Sequence, residues 1–241
     1  MPVDLRYYSA GPLTILALIV IIGLLLLLIP LLFLGLVGNA FTNLVGLSWL
    51  SATALVILIL LCSLVNIPVW KIRRETIRMP HPAEGGYLDA FPGREDRGLW
   101  ETTIAINLGG AVLFAMACYL LYRAALVMSG ETLVPRVLAA TLIVAAIAYV
   151  TARPLVGVGI RTPLFVPGLA ALLCGILFAG GLGSSAGVIA CVSVTLGTLL
   201  GANLMHLPRT GDLEVPQISI GGIGTFGTIF IGCILSALIA A

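Results

Sequence analysis

Long apolar stretches without acidic residues are the feature that most constrains the fold of this chain. All ten Asp and Glu residues lie outside these stretches or at their edges, although 60% of the chain is hydrophobic and only 9% is charged. So little charge could not hydrate a globular surface, which predicts a bilayer-embedded protein. A carboxylate in hydrocarbon is costly and normally serves proton transfer or ion binding. The sequence therefore argues against carboxylate chemistry inside the membrane.

The lengths of the apolar stretches predict the architecture, because about 20 apolar residues cross roughly 30 Å of hydrocarbon. We expect an all-α fold, a polytopic transmembrane helix bundle of about seven spans that forms one integral membrane domain over residues 1–241. Turn residues at Gly38-Asn39, Ser129-Gly130 and Gly181–Gly183 predict tight connections after the first, third and fifth spans. The spans are predicted near residues 13–37, 46–70, 102–127, 133–152, 163–181, 184–205 and 217–240.

The basic residues predict the orientation, because Lys and Arg stay on the cytoplasmic side during insertion. Ten of the 12 lie at the end of the predicted bundle that carries the N-terminus, whereas Arg123 and Arg136 lie at the other end. We therefore expect a multi-pass protein of the cell (inner) membrane with a cytoplasmic N-terminus and a periplasmic or extracellular C-terminus.

The second connection is the one sizeable soluble feature, a predicted cytoplasmic loop over about residues 71–101. Its basic start is interpreted as a topology anchor, with contact to lipid headgroups or a protein partner as the alternative, at about 1 kcal/mol per base near an anionic leaflet. A net charge of +2, with the bases close to the membrane, does not indicate nucleic-acid binding. The bases concerned are Lys71, Arg73, Arg74 and Arg78.

Catalytic and metal-binding patterns are weak. The stretch Gly183-Ser184-Ser185-Ala186-Gly187 matches the GxSxG pattern of serine hydrolases, but His206 lies about 21 residues further, roughly 30 Å along a helix. A nucleophile needs its base within about 3 Å. The five cysteines are scattered singly and are interpreted as buried packing residues. No catalytic residue, metal site or cofactor is predicted.

Glycines are the stronger signal. The pairs Gly183/Gly187 and Gly197/Gly201 predict close approach of a neighbouring backbone to the sixth span. The last span has a glycine-rich start, which predicts a broken helix because each glycine costs about 1 kcal/mol relative to alanine. This segment either lines a wet cavity or packs tightly against the sixth span. The candidate residues for this cavity or packing site are Asn203, Gly221, Gly222, Gly224, Thr225, Gly227 and Thr228.

Several stretches resemble the bacterial and archaeal membrane family DUF1614, whose function is unknown. They are FLGLVGNAFTNL (33–44), SLVNIPV (63–69), ARPLVGVGI (152–160), GTLLGANL (197–204) and SIGGIGTFGTIF (219–230). The resemblance implies an aspartate at the position of Asn203 and another at that of Gly227, on consecutive helices. By analogy only, such a pair is similar to the carboxylates of intramembrane aspartyl proteases. This chain lacks both acids, so proton transfer or cation binding by them is not expected.

Three functions remain in view. The leading hypothesis is a non-catalytic accessory subunit or assembly factor of a larger inner-membrane complex, which contacts membrane lipids and protein partners within the bilayer. The alternative is a transporter of a small solute or lipid that uses the helix break at Gly221–Gly227. The third is a protein similar to intramembrane aspartyl proteases that has lost its acids and is not an enzyme.

Overall fold

The protein is described by a computed structural model over residues 12–78, 96–128, 130–155, 159–208 and 215–240. It is mostly helical, with 72% of the structure in helices. The helix α6 continues as a π-helix over Leu199–Leu204. The seven helices of the described residues are α1 (Pro12–Val45), α2 (Trp49–Cys62), α3 (Leu108–Leu126), α4 (Gly130–Thr151), α5 (Val166–Ala179), α6 (Ser184–Thr198) and α7 (Phe226–Ile239).

Four of these helices are long and apolar enough to cross a membrane by length and composition. They cover Ile15–Val45, Leu108–Leu126, Glu131–Thr151 and Ser184–Leu204. The other three, α2, α5 and α7, are apolar but have 14 residues each, about 21 Å of helix. The expectation of about seven spans is therefore confirmed for four helices by length, and the three shorter ones account for the difference.

Strands occur where the sequence predicts the ends of three spans, so the all-α expectation is confirmed only in part. Strand β1 (Asn66–Arg78) pairs antiparallel with β2 (Asp96–Asn107), and β5 (Gln217–Ile220) pairs parallel with the other edge of β2. A second, two-stranded sheet joins β3 (Arg153–Leu155) to β4 (Gly159–Arg161). Hydropathy counts apolar residues without distinguishing helix from strand, which is why the sequence predicts helix at residues 66–70 and 102–107.

All five strands lie at one end of the bundle, which we call the sheet end. They follow α2 and α4 or precede α3, α5 and α7. Contacts there join the end of α2 to the start of α3 and the start of α3 to the segment before α7. The predicted loop at residues 71–101 thus contains the outer parts of β1 and β2, and its middle, residues 79–95, lies outside the described residues.

The predicted first turn at Gly38-Asn39 is wrong, because α1 continues to Val45. A side chain at Gly38 would collide with the hydroxyl of Thr53 in α2, so this glycine permits a close helix crossing. The chain turns instead at Gly46, which has a φ of 76°. Arg123 at the end of α3 donates from Nη1 to the carbonyl of Val45 at 2.6 Å and so caps α1.

Helix α6 is the centre of the core. It contacts α3, α4, α5 and α7. Of its most apolar 18-residue stretch 78% is buried, whereas none of the corresponding stretch of α1 is buried. Both glycine pairs of α6 contain a residue at a close helix contact, as the sequence predicts. A side chain at Gly187 would meet Ser236 of α7 and Ala240 just after it, whereas one at Gly201 would meet the backbone of Ala145 in α4.

Candidate functional site

Uncharged polar side chains form a row along the contact between α6 and α7. Cys191, Thr195 and Thr198 recur at helical spacing on α6 and are fully buried. The Sγ atom of Cys233 lies 3.4 Å from both Cys191 Sγ and Thr195 Oγ1. We call this set the α6–α7 polar row, and it consists of Cys191, Thr195, Thr198, Asn203, Thr225, Thr228 and Cys233.

The π-helical end of α6 brings Asn203 into this row. The Met205 N–H donates to the Leu200 carbonyl at 2.9 Å, five residues back instead of four. Because a π turn takes one more residue than an α turn, the residue five positions after Thr198 returns to the face of Thr198. Asn203 is 2% exposed there, and its Nδ2 donates to Thr225 Oγ1 at 3.3 Å.

Three of the predicted residues, Thr225, Gly227 and Thr228, lie at the start of α7. The Thr225 hydroxyl donates to the Gly222 carbonyl at 3.3 Å, and the Thr228 hydroxyl donates to the Pro163 carbonyl at 3.2 Å. A Cβ atom at Gly227 would lie 3.1 Å from Leu164 Cδ1. A carboxylate at position 227 would therefore require Leu164 to move.

The glycine-rich segment before α7 is unwound and lies against other backbone. A Cβ atom at Gly110 in α3 would lie 2.5 Å from the Gly221 carbonyl oxygen. One at Gly222 would collide with the Ser219 hydroxyl, and one at Gly224 would lie 2.5 Å from the Ile160 carbonyl oxygen. Gly224 also has a φ of 99°, which non-glycine residues rarely adopt. Side chains therefore do not fit at Gly110, Gly222 or Gly224.

Sequence reasoning missed Asn107, which joins four elements at the sheet end. It is 1% exposed, and its Nδ2 donates to the Ser63 carbonyl at 2.7 Å and to Asn66 Oδ1 at 3.0 Å. Its Oδ1 accepts the Gly110 N–H at the start of α3, and Ser219 Oγ of β5 donates to Asn66 Oδ1 at 2.6 Å. An Asn before Leu-Gly-Gly is an N-cap signal, but it does not reveal the distant partners.

His206 was also missed as a packed residue. It follows the π-helix, is 3% exposed, and its Nδ1 lies 3.1 Å from the Gly201 carbonyl oxygen. Its ring centroid lies 4.7 Å from that of Tyr149 in α4. Ser184 and Ser185 begin α6 at the opposite end, so the GxSxG serines do not meet this histidine.

The described residues contain no group of three or more His, Cys, Asp or Glu side chains that could hold a metal ion. Of the five cysteines, Cys191 and Cys233 are buried as expected, whereas Cys62 and Cys174 are only partly buried and Cys118 is exposed on α3. The polar row offers hydroxyl, thiol and amide groups, which can donate and accept hydrogen bonds, and it contains no carboxylate.

The predicted headgroup contacts lie on strand β1. Lys71 Nζ is 3.0 Å from Glu101 Oε1 on β2, and Arg73 Nε is 3.9 Å from the same oxygen. The hydrogen bond from Lys71 and its charge lower the pKa of Glu101. The attraction between Lys71 and Glu101 is fully present above the ordinary pKa of a carboxyl group. It is lost as the pH falls through the lowered pKa of Glu101. Positions 74 and 78 pair with Trp100 and Asp96, and their side chains are not described.

One face of the three-stranded sheet and the end of α6 border an open apolar groove of about 500 Å³, which we call the sheet groove. A second, more polar groove of about 310 Å³ lies on the turn between α5 and α6. Neither groove is lined by Asn203, Thr225 or Thr228. The sheet groove is lined by Val69, Trp70, Ile72, Ile104, Ile106, Leu204, Leu207, Pro208 and Ile220.

Comparison with known proteins agrees with the resemblance read from the sequence. The family model described as a protein of unknown function (DUF1614) matches residues 60–239, which contain both sheets, the polar row and the helices α3 to α7. Helix α1 and most of α2 precede the match. Searches of curated proteins and of solved structures gave no match. The chain is a membrane protein by its apolar helices, and it belongs to the DUF1614 family.

Proposed function

We propose that this DUF1614 protein is a non-catalytic accessory subunit or assembly factor of a larger complex in the cell (inner) membrane. The observation that carries the proposal is the closed, uncharged contact between Asn203 and Thr225. The resemblance implies carboxylates at positions 203 and 227, yet an amide and a glycine stand there. The scaffold around them is packed, which suits a protein retained for its shape and its membrane surfaces.

Helix α1 is the surface that we propose for partner binding. Its residues from Ile15 to Phe33 are exposed, although this is the most apolar of the four membrane-length helices among the described residues. A helix that is hydrophobic all round is covered by lipid or by other helices in a membrane. Because α1 also precedes the part of the chain that matches the family model, we propose that it adds a partner-specific contact to a common core.

Photo-crosslinking tests this proposal. A photo-reactive amino acid at Leu27, which is 71% exposed on α1, is expected to give a discrete crosslinked product with another protein in native membranes. The same amino acid at Leu177, 73% exposed on α5, is the matched control and is expected to give lipid adducts alone. A product with twice the mass of the chain, or migration as a single chain at every expression level after gentle solubilisation, would contradict the subunit proposal.

We also propose that all seven helices cross the membrane, with the sheet end and the N-terminus in the cytoplasm. Two observations support a membrane crossing by the three short helices. Strands lengthen the segments of α2 and α7, and α5 packs against α6. Lys71, Arg73, Arg153 and Arg161 lie in strands at the sheet end, whereas Arg123 is at the opposite end, in agreement with the charge rule.

A protease site after Ala241 tests this orientation. We expect cleavage from the periplasmic or extracellular face alone, because an odd number of spans separates the two termini. The control is a site between Glu84 and Gly85, which should be cut from the cytoplasmic face. Cleavage after Ala241 from the cytoplasm alone would reject both the orientation and the odd number of spans.

Transport of a small solute is the second candidate function, and two buried hydroxyls favour it. Thr162 Oγ1 and Thr198 Oγ1 have no hydrogen-bond partner among the described residues, so both could serve a polar ligand near the unwound segment. Substitution of Gly224 does not test transport, since its φ of 99° and the adjacent Ile160 carbonyl would perturb the fold itself. The packed glycine segment, which borders neither of the two grooves described above, makes this candidate the weaker of the two.

A further inference from the structure

Two arginines face each other on the two-stranded sheet at the sheet end. Arg153 of β3 and Arg161 of β4 are direct cross-strand partners, and such partners project from the same face of an antiparallel pair. Both residues are exposed, and neither forms an ion pair with a described carboxylate. Like charges directly opposite each other destabilise a strand pair. An anion between the two guanidinium groups would replace this repulsion by attraction.

The other face of this hairpin is packed, which keeps the two arginines on the outside. Ile160 belongs to a buried apolar cluster with residues of α4, the π-helical segment and β5. Its carbonyl oxygen lies beside Gly224, and the Thr162 N–H donates to the Gly224 carbonyl at 3.4 Å. Because side chains alternate between the two faces of a strand, Arg153 and Arg161 project away from this cluster. The basic face is therefore held in place by the fold.

The starts of two helices add positive potential near the arginines. Helix α5 begins at Val166, shortly after Arg161, and α7 begins at Phe226, shortly after the contact of β4 with Gly224. Neither helix has a side-chain cap on its first N–H groups. The N-terminus of a helix carries partial positive charge and favours an anion nearby. The two arginines and the two helix ends thus favour the same kind of ligand.

Exposed apolar side chains adjoin the arginines and indicate that the anion belongs to a lipid. Leu155 lies on the same strand face as Arg153 and is exposed. Leu164, Phe165 and Val166, at the start of α5, are exposed as well. A free phosphate ion would leave these side chains uncovered. A phospholipid can cover them with its acyl chains while its phosphate reaches the arginines.

We propose that Arg153 and Arg161 bind the phosphate of an anionic phospholipid. Guanidinium groups match phosphate oxygens with paired hydrogen bonds. Two of them suit a phosphomonoester, which carries about −1.5 to −2 charges at pH 7. Leu155 and the exposed residues at the start of α5 contact the acyl chains. This site is separate from the α6–α7 polar row and from helix α1, so it does not depend on the proposed accessory role.

Native mass spectrometry of the purified full-length chain tests the site with two lipids of identical acyl chains, phosphatidic acid and phosphatidylcholine. We expect about tenfold preferential retention of phosphatidic acid. Arg153→Gln with Arg161→Gln should abolish this preference. Lys71→Gln with Arg73→Gln is the matched control, because it removes the same charge from the sheet end at bases that already face Glu101. The control variant should keep the preference.

Thermal unfolding separates lipid binding from folding. Without lipid, the Arg153→Gln, Arg161→Gln variant should keep or slightly raise the Tm, because it removes like charges that face each other. Phosphatidic acid should raise the Tm of the unmodified chain but not that of this variant. Equal retention of the two lipids by the unmodified chain, or an equal loss of preference in both double variants, would overturn the proposal. So would inorganic phosphate that raises the Tm as much as phosphatidic acid does, since the ligand would then be a soluble anion.

Discussion

Replacement of Gly201 by alanine is expected to destabilise the protein by about 1–3 kcal/mol or more, the typical cost of overpacking a core. Gly201 lies in the π-helical end of α6, and a Cβ atom there would collide with the carbonyl oxygen of Ala145. Backbone atoms on α4 cannot move aside as a flexible side chain could. We expect a clear decrease in the Tm of the detergent-solubilised protein, measured by intrinsic fluorescence.

The control for this change is Gly23→Ala in α1, because nothing lies within 4 Å of a Cβ atom at that position. Alanine favours a helix by about 1 kcal/mol over glycine, so this variant should keep or slightly raise the Tm. If the two variants have the same Tm, the close contact between α6 and α4 is not present in the protein. The position of Asn203 relative to Thr225 would then need revision, since it depends on the same π-helical segment.

Asn107→Ala is expected to cost about 1.5–5 kcal/mol, the sum of two losses, and to loosen the sheet end. The change removes the N-cap of α3, worth about 0.5–2 kcal/mol. It also leaves the Ser63 carbonyl without the Asn107 amide, and an unpaired buried polar group costs about 1–3 kcal/mol. Hydrogen exchange should increase in β1, β2 and the first turn of α3 before it increases in α6.

Asn43→Ala provides the comparison, since Asn43 is exposed near the end of α1 and such surface changes usually stay within about 0.5 kcal/mol. Loss of protection spread evenly over all helices in Asn107→Ala would indicate global destabilisation. The network that joins α2, β1, α3 and β5 would then not be a local unit.

Apolar length was sufficient to predict the helices, and small residues were sufficient to predict close contacts on α6. Gly187 and Gly201 lie at such contacts because the missing side chain lets a neighbouring backbone approach. Hydropathy assigns residues 66–70, 102–107 and 217–220 to helices because they adjoin long apolar stretches and contain isoleucine or valine themselves, although their alternating β-branched residues are typical of strands. Pairing of β2 with β5 joins residues more than 100 positions apart, and a local pattern does not specify such a partner.

The candidate site was predicted as a set of residues but not as an arrangement. Asn203 and Thr225 were both singled out, yet an ordinary α-helix would direct Asn203 away from Thr198, and the π turn is not evident in the residue types. Asn107 escaped notice because one asparagine at a span boundary is an ordinary capping signal. Its significance comes from Ser63 and Asn66, which reach it only after α2 and α3 have packed.

The sequence by itself determined that the chain is a membrane protein, which stretches are apolar, and that the carboxylates implied by the family resemblance are missing at positions 203 and 227. These properties follow from residue types and local hydropathy, which add along the chain. Only the tertiary structure decided that three extended segments form one sheet with an apolar groove, and that an amide and a hydroxyl meet between α6 and α7. Hydrogen bonds and close packing depend on which distant residues meet, and that is settled when the helices assemble.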